Sequence, residues 1–285
     1  ISHEIRTPMN IILGTTSLMQ NDEPKVEHVK YLNTLKRSGE NLLGIINDIL
    51  DVSKIEAGKL EVEYEPVLLN DIFENIITTL ENPAKEKNLK LSYFMDEKID
   101  FAILSDPLRL TQILTNLVSN SIKFTAKGAI HCEAKLKNKN TIQLMVIDTG
   151  IGIPKDKLST IFDQYEQVRT KVQKKYKGTG LGLAISKKLV ELMHGNISIK
   201  SRVNEGTSFI IQLPFEKAEI QKQVTATTVK KDAAFLDNKT ILIVDDFDDN
   251  RFIVKETLLF FSKYMNVLEA ENGLHALEIL KNNKV

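Results

Sequence analysis

Two long segments at the start of the chain carry apolar residues at alternating spacings of four and three. The first covers residues 1–20 and the second residues 25–57, and turn-forming residues separate them at 21–24. The apolar seam consists of Ile5, Met9, Ile12 and Met19 in the first segment and Leu32, Leu35, Leu42, Ile46 and Ile49 in the second. This spacing is typical of helices that pack side by side. The pattern therefore predicts an antiparallel helical hairpin, which we assign to residues 1–62.

A hairpin with one apolar seam buries little surface by itself. We therefore expect two copies of the chain to associate through the seam as a homodimer, in which the two hairpins form a four-helix bundle. The alternative is that the hairpin packs against a globular domain of its own chain.

Residues 66–216 alternate between strand-like and helical patterns. Strand patterns lie at residues 67–69, 89–94, 101–104, 129–136, 142–147, 197–201 and 208–215, and helical patterns at 70–86, 106–124, 155–162 and 181–194. We expect Asn70 or Asp71 to cap the first of these helices. Because strands and helices are mostly segregated, the pattern predicts a two-layer α/β sandwich within a multidomain α+β chain.

The end of the chain predicts a linker and the start of a third domain. Residues 217–238 are polar and lack a period, as linkers do. Residues 239–285 then read as strand, helix, strand and helix, which is how a doubly wound parallel sheet begins. Such a sheet has about five strands, so we expect this domain to be truncated. The first residue is Ile1 rather than methionine, and we expect the chain to be a fragment of a longer protein.

The helical segment at residues 106–124 has one polar face. The polar residues are spaced by three or four and stack on that face: Asp106, Arg109, Gln112, Asn116, Asn120 and Lys123. Asn116 and Asn120 lie one turn apart and offer amide oxygens, which suit Mg²⁺. Lys123 follows one turn later, in position for a phosphate oxygen. The face therefore predicts one wall of a nucleotide pocket, with an ordinary solvated helix face as the alternative.

Two glycine-rich segments follow that helix. Asp148-Thr149-Gly150-Ile151-Gly152 comes after a strand, and Gly178-Thr179-Gly180-Leu181-Gly182 opens a helix. Glycines let the backbone approach a flat ligand, and helix N-termini bind phosphate. The Asp148 carboxylate can accept a hydrogen bond from the exocyclic amine of adenine. Either segment alone is weak evidence, because turns explain single glycines more often than ligands do, but both segments with the polar helix predict a nucleotide pocket.

The composition of the chain indicates which classes of partner and which cellular location to expect. Lys and Arg number 38, as do Asp and Glu, so the net charge of zero gives no electrostatic reason to expect a nucleic-acid partner. Cys132 is the single cysteine, in an alternating segment that indicates a buried strand position. No apolar run reaches the roughly 20 residues of a membrane span. We expect a cytoplasmic portion, attached to a membrane only through segments that the chain does not include.

At this point the sequence resembles the sensor histidine kinases of two-component systems. Their sequence boxes occur in the family's order over residues 1–215: the H-box at Ile1–Asn10, the N-box at Asn116–Phe124, the G1 box at Asp148–Ile153, the F-box at Ile161–Tyr165, the G2 box at Gly178–Gly182 and a later Gly-Thr strand at Gly206–Phe209. Asp245-Asp246 with the following helix resembles the start of a response-regulator receiver domain. A kinase core joined to a receiver resembles a hybrid histidine kinase.

The resemblance implies roles for individual residues. His3 would accept the γ-phosphoryl group of ATP on a ring nitrogen, Glu4 would act as general base, and Thr7 would orient the water that dephosphorylates a partner regulator. Asp148 would bind the adenine amine, and Asn120 with Asn116 would bind Mg²⁺. The remaining nucleotide-binding positions would be Lys123, Gly150, Gly152, Lys174, Gly178, Thr179, Gly180, Leu181, Gly182 and Thr207. Asp245 and Asp246 would hold Mg²⁺ in the receiver.

The sequence departs from the family pattern at three places. Lys174 stands where family members often carry an arginine, and Tyr165 where a phenylalanine is frequent. The receiver's phosphoacceptor aspartate would lie beyond Val285. The resemblance therefore implies an ATP-dependent histidine kinase that passes phosphate to a receiver domain and also acts as a phosphatase. The alternatives are a catalytically silent nucleotide-binding scaffold and an ATPase of the chaperone or topoisomerase type.

Overall fold

The computed structural model of the protein describes residues 2–22, 24–166, 179–218, 236–262 and 264–282, with backbone alone for residues 2–4. These residues fall into two compact units. One is drawn from Ile1–Asn47 and Val224–Val285, and the other from Asp48–Gln223. The second unit contains the end of the second helix and the whole α/β sandwich, so it holds nearly all of the residues predicted to bind nucleotide.

Two helices form the predicted hairpin, α1 (Ser2–Asn21) and α2 (Val26–Glu56). At the turn end, Gln20 Nε2 donates to Asn33 Oδ1 at 2.8 Å. Midway, a Cβ on Gly39 would lie 2.8 Å from Leu13 Cδ2, so the small residue lets the helices approach. Met9 and Leu32 are buried between them. None of the described helices is long and apolar enough to cross a membrane.

A five-stranded sheet forms one layer of the sandwich, in the order β2-β4-β5-β7-β6. Its strands are β2 (Leu89–Met95), β4 (Gly128–Asn138), β5 (Thr141–Asp148), β6 (Asn196–Arg202) and β7 (Gly206–Pro214). β2 and β4 are parallel and the other neighbours are antiparallel. The helices are α3 (Leu69–Glu86), α4 (Pro107–Phe124) and α5 (Gly182–Leu192). The predicted two-layer α/β sandwich is confirmed.

The core lies between the helices and one face of the sheet. Alternating strand residues such as Ile130, Ala134 and Leu144 have no exposed surface, and they belong to one cluster with Leu117 and Val118 of α4. Burial of this apolar face is the main force that holds the layers together. The strand alternation therefore fixes which face of α4 points inward and which polar side chains remain outside.

Three local predictions differ from the structure. Leu68 is the N-cap of α3 and no side chain caps the helix, so Asn70 and Asp71 do not have the predicted role. Residues 155–162 contain a short 3₁₀ turn at Lys155–Lys157 rather than a helix, because that helical pattern covers barely two turns. Lys217–Ala218 form β8, which pairs with β3 (Ala102–Ser105) beside β1 (Glu65–Val67). The sheet structure thus continues two residues into the segment predicted as linker.

The remaining elements are β9 (Thr240–Val244), α6 (Asp248–Phe261), β10 (Asn266–Ala270) and α7 (Gly273–Asn282). β9 and β10 pair in parallel, with Ile241 opposite Val267. This strand-helix-strand order is the predicted opening of a doubly wound sheet. Large apolar side chains of α6 and α7 remain exposed, among them Phe252, Phe261 and Leu277.

Candidate nucleotide-binding site

The start of α4 is fixed by Asp106. Its Oδ1 accepts from the Arg109 amide at 2.9 Å, and its Oδ2 accepts from the Glu63 amide at 3.1 Å. Pro107 follows at the first helical position, where a missing N–H costs nothing. Asp106 is therefore the buried N-cap of α4 rather than a residue of the pocket wall.

The first half of the predicted polar wall contacts α2. Gln112 Nε2 donates to Asp51 Oδ2 at 2.6 Å, and Arg109 Nη1 lies 3.8 Å from the same oxygen. Arg109 also donates to Gln112 Oε1 at 3.0 Å. The prediction that the whole face lines a nucleotide pocket is therefore wrong for these two residues. Their side chains satisfy a carboxylate on the neighbouring helix.

The second half of the wall is the pair Asn116 and Asn120. Asn116 Nδ2 donates to Ser186 Oγ of α5 at 2.7 Å, and Asn116 Oδ1 accepts from Asn120 Nδ2 at 3.2 Å. Both ends of the Asn116 amide are thus occupied within the protein. Among the side chains that the structure describes, no donor reaches Asn120 Oδ1. Asn120 therefore presents the oxygen that remains available to a cation.

Replacing Gly182 by alanine tests this arrangement. A Cβ at Gly182 would overlap Asn116 Oδ1, so the asparagine must move and release Asn120. We expect ATP affinity to fall about tenfold while the fold survives, because a misplaced ligand weakens binding without opening the core. Gly44→Ala is the matched control, because nothing lies within 4 Å of its added methyl group. Equal ATP affinity of the two variants, measured by calorimetry, would contradict the arrangement.

Lys123 lies at the end of α4, half-buried. Lys87 Nζ donates to the carbonyl oxygens of Ile122 at 2.8 Å and Lys123 at 3.0 Å. Burial, and secondly the positive charge of Lys87, lower the pKa of Lys123. The C-terminus of α4 carries partial negative charge, and the Lys87 ammonium offsets it by binding the last carbonyl oxygens. The predicted contact of Lys123 with phosphate stays a prediction.

Asp148 ends β5 and is 7% exposed. Its Oδ1 accepts from the Gly150 amide at 2.8 Å and the Thr207 amide at 3.2 Å, and its Oδ2 accepts from Ser121 Oγ at 3.1 Å. Burial raises the pKa of Asp148, and these three hydrogen bonds lower it in part. The carboxylate is thus held in one orientation by donors from α4, the glycine segment and β7.

The glycines of the first segment have protein neighbours on the side where a Cβ would stand. Gly152 has a φ of 66°, and a Cβ there would overlap the Arg202 carbonyl oxygen. A Cβ on Gly150 would lie 2.8 Å from Asp148 Oδ1. Close packing therefore explains both glycines, against backbone at Gly152 and against backbone and side-chain oxygens at Gly150, and room for a ligand stays a prediction.

The second glycine segment is described from Thr179 onward; Gly178 and Lys174 lie outside the described residues. Thr179 Oγ1 accepts from the Leu181 amide at 3.2 Å and donates to Asp48 Oδ2 of α2 at 3.4 Å. Leu181 is buried, and α5 begins at Gly182. Burial raises the pKa of Asp48, a nearby Asp51 raises it further, and the Thr179 hydrogen bond lowers it.

The other compact unit contains the remaining predicted site residues, at the start of α1 and at the end of β9. His3 and Glu4 lie in the first turn of α1, with their side chains outside the description, and Thr7 is half-buried one turn later. Asp245 Oδ1 accepts from the Phe247 amide at 2.9 Å and from Asn250 Nδ2 at 3.0 Å, while Asp246 is exposed. In the described part of the chain, no group of three or more His, Cys, Asp or Glu residues is arranged for a metal.

Sequence reasoning missed three hydroxyl groups at the site. Ser121 binds Asp148, and Ser186 binds Asn116. Ser201 Oγ lies 3.0 Å from Thr207 Oγ1 and accepts from the Ile153 amide at 2.9 Å. A serine within an apolar helix stripe, such as Ser121 or Ser186, was the signal available in the sequence, because a buried hydroxyl requires a partner.

Two family models match the chain. "Histidine kinase-, DNA gyrase B-, and HSP90-like ATPase" matches residues 105–217, and "His Kinase A (phospho-acceptor) domain" matches residues 1–58. The autoinducer 2 sensor kinase/phosphatase LuxQ of Vibrio vulnificus is 37% identical over 287 residues, which cover 99% of this chain and 33% of LuxQ. The sensor protein GacS of Pseudomonas syringae pv. syringae is 44% identical over 227 residues, covering 78% of this chain and 25% of GacS.

Among solved structures, full-length ShkA in complex with AMPPNP is similar, with a TM-score of 0.64 and 27% identity over 97% of this chain and 56% of ShkA. The chain spans a third or less of the length of the two curated relatives. Both family models, the curated relatives and the solved structure agree on one assignment. The chain belongs to the sensor histidine kinases.

Proposed function

We propose that this chain is the catalytic core of an ATP-dependent protein-histidine kinase that phosphorylates itself on His3. The observation that carries the proposal is the buried Asp148 carboxylate, which Ser121, Gly150 and Thr207 hold in one orientation. An ionised carboxylate only accepts hydrogen bonds, so it suits the exocyclic amine of adenine. The AMPPNP bound to ShkA supports an adenine nucleotide as ligand.

In the proposed reaction, a ring nitrogen of His3 attacks the γ-phosphorus of ATP. The bond from that phosphorus to its bridging oxygen breaks, and ADP leaves. The imidazole then loses its other ring proton to the Glu4 carboxylate, so that a neutral phosphohistidine remains. A histidine needs no large change in pKa to act as a nucleophile. A neighbouring carboxylate such as that of Glu4 is therefore a sufficient base.

The phosphate end of the pocket combines Asn120, Lys123 and the second glycine segment. When bound, Mg²⁺ would neutralise phosphate charge. An oxygen without a protein donor, as at Asn120, fits this hard cation. Asn116 Oδ1 already accepts from Asn120 Nδ2, so we assign Asn116 the positioning of Asn120, and the second lone pair of Asn116 Oδ1 would be its share in binding the cation. Lys123, Lys174 and the segment Gly178–Gly182 would contact the phosphates.

The hairpin supports a homodimer. Seam residues Ile12, Met19 and Leu35 are 49%, 54% and 54% exposed in the single chain, although the seam pattern predicts burial. Covering this stripe with a second hairpin removes it from water, which favours association. Phosphorylation then occurs either within one chain or between the two chains of the dimer.

The partner of His3 would be an aspartate of a receiver domain, in the same parent protein or in a separate regulator. Asp245 and Asp246 would hold Mg²⁺ beside that aspartate in the receiver that begins at residue 239. Thr7, one turn after His3, would orient water for the reverse reaction. The name sensor kinase/phosphatase of LuxQ supports a phosphatase activity for the parent protein.

The test is incubation of the 285-residue chain with γ-labelled ATP and Mg²⁺. We expect a covalent label that is stable in alkali and lost in acid, as phosphohistidine is. Labelling must stop when Mg²⁺ is chelated and must not occur with α-labelled ATP. ATP binding without any covalent label would instead favour a silent nucleotide-binding scaffold. Steady ATP hydrolysis without a phosphoenzyme would favour a chaperone-type ATPase.

A further inference from the structure

A lysine from another part of the chain occupies the C-terminus of α4. The carbonyl oxygens at the end of an α-helix lack partners within the helix and need donors from elsewhere. In α4 the Thr125 amide still donates to the Ser121 oxygen at 3.0 Å. The next two oxygens, of Ile122 and Lys123, both accept from Lys87 Nζ, at 2.8 Å and 3.0 Å. A single ammonium group thus binds the last turn of this helix at two points.

The end of α3 places Lys87 within reach of α4. Lys87 is the C-cap of α3, and its amide donates to the Ala84 carbonyl oxygen at 3.1 Å. Asn88 follows with a φ of 55°, a left-handed conformation that asparagine adopts more readily than most residues. The chain turns there into β2, and the half-buried Lys87 side chain extends to the last turn of α4.

The charge of Lys87 changes what the end of α4 can accept. Aligned peptide dipoles give a helix C-terminus about half a negative charge, which repels an anion. The Lys87 ammonium brings a full positive charge to the same carbonyl oxygens. Burial, and after it the charge of Lys87, lower the pKa of Lys123, so the two positive charges are close enough to interact. The balance of these charges at the end of α4 is positive.

We propose that Lys87 is a positioning residue for the phosphates of ATP, acting through the C-terminus of α4. Its charge turns the repulsion between this helix end and an anion into attraction, so that the phosphates stay beside Asn120 and Lys123. A ligand that contains adenine but no phosphate gains nothing from this charge. The inference rests on the proposed binding of ATP with its phosphates at Asn120 and Lys123.

The test compares ATP with adenosine in calorimetric titrations of the whole chain, in which adenosine is measured by its competition with ATP. We expect Lys87→Met to lower the affinity for ATP about tenfold and to leave the affinity for adenosine unchanged. Lys87→Arg keeps the charge and the donors, and it should match wild type with both ligands. Lys87→Gln keeps a donor without the charge, and it should lose affinity for ATP alone, as Lys87→Met does.

Lys85→Met is the matched control, because it removes an exposed ammonium group from the last turn of α3, where Lys85 Nζ lies 2.8 Å from Glu81 Oε1. Equal affinities of Lys87→Met and Lys85→Met for ATP would overturn the assignment. If Lys87→Met does not fold, the comparison of Lys87→Gln with Lys87→Arg decides in its place, and equal ATP affinities of those two variants would overturn the assignment.

A structural role of Lys87 alone gives a different result. Ser121 lies in the same turn of α4 and donates to Asp148, so a loosened helix end would weaken the binding of adenine as well as that of phosphate. A loss by the same factor for ATP and adenosine would therefore overturn the proposal in favour of that role. If wild type binds no ATP, the proposed function fails first. If Asp148→Asn weakens ATP binding while Lys87→Met does not, the inference about Lys87 alone fails.

Discussion

Replacing Asp148 with asparagine is expected to lower ATP affinity about 100-fold while the protein stays folded. The amide oxygen of asparagine can still accept from Gly150 and Thr207, and Ser121 can rotate its hydroxyl to accept from the new NH₂ group. That NH₂ group, however, faces the amine of adenine with a donor. The asparagine NH₂ group and the adenine amine are then both donors without an acceptor, and the charged acceptor of Asp148 is lost. Together these changes account for a loss of about 2.7 kcal/mol in the free energy of ATP binding.

The same variant should change base preference and pH dependence. Inosine triphosphate carries a carbonyl oxygen in place of the amine, so it should bind Asp148→Asn better than it binds wild type. Burial raises the pKa of Asp148 above its ordinary value of 3.8. At pH values between 3.8 and the raised pKa of the folded state, the folded protein binds more protons than the unfolded protein. The free energy of unfolding of wild type therefore falls as pH rises through this range. Asp148→Asn should lack this contribution.

Asp71→Asn is the matched control for Asp148→Asn, because it makes the same change in charge at an exposed position of α3. Calorimetric titrations with ATP and inosine triphosphate, together with urea unfolding over a pH series, give all of the readouts. An ATP affinity of Asp148→Asn equal to that of Asp71→Asn would remove Asp148 from the binding site.

Replacing Asn120 with alanine is expected to abolish the contribution of Mg²⁺ to ATP binding. Without Mg²⁺, wild type and variant should bind ATP with similar affinity, because the Asn120 side chain, among the described residues, makes a hydrogen bond to Asn116 alone. With Mg²⁺, wild type should gain affinity and the variant should not, which leaves the variant about 100-fold weaker. Covalent labelling should fall below detection.

The control for Asn120→Ala is Asn75→Ala, which removes an exposed asparagine from α3. Titration of ATP at several Mg²⁺ concentrations separates the two variants. If Asn120→Ala keeps the Mg²⁺ dependence of wild type while Asn116→Ala loses it, the assignment of ligand and positioning residue must be exchanged.

Much of the fold could be predicted because the signals are local. Alternation at Ile130, Cys132 and Ala134 reflects burial on one face of a sheet, and this face follows from the sequence alone. Asp106 followed by Pro107 likewise fixes the start of α4. By contrast, β8 is only two residues long and exists because β3 offers it an edge. Two residues carry no period, so no local pattern indicates such a strand.

The site was predictable in part for the same reason. Helical spacing correctly grouped Asn116 and Asn120 on one face of α4. Spacing cannot tell which part of a polar face meets another element, and so the contact of Gln112 with Asp51, across 61 positions of the chain, was missed. The packing that requires Gly152 depends on Arg202, which is brought near by the β6–β7 pairing. Such partners are fixed only by tertiary structure.

Locating the phosphoryl group tests directly whether His3 is the residue that is phosphorylated. Wild type, His3→Gln and His28→Gln are each incubated with γ-labelled ATP and Mg²⁺, and the acid-labile label per chain is measured. His28 is the matched control, because it is an exposed helical histidine with a neighbouring glutamate, Glu27. We expect full label on wild type and His28→Gln and none on His3→Gln, with ATP affinity unchanged in all three. Label that persists on His3→Gln would contradict the assignment of His3 as the phosphorylated residue.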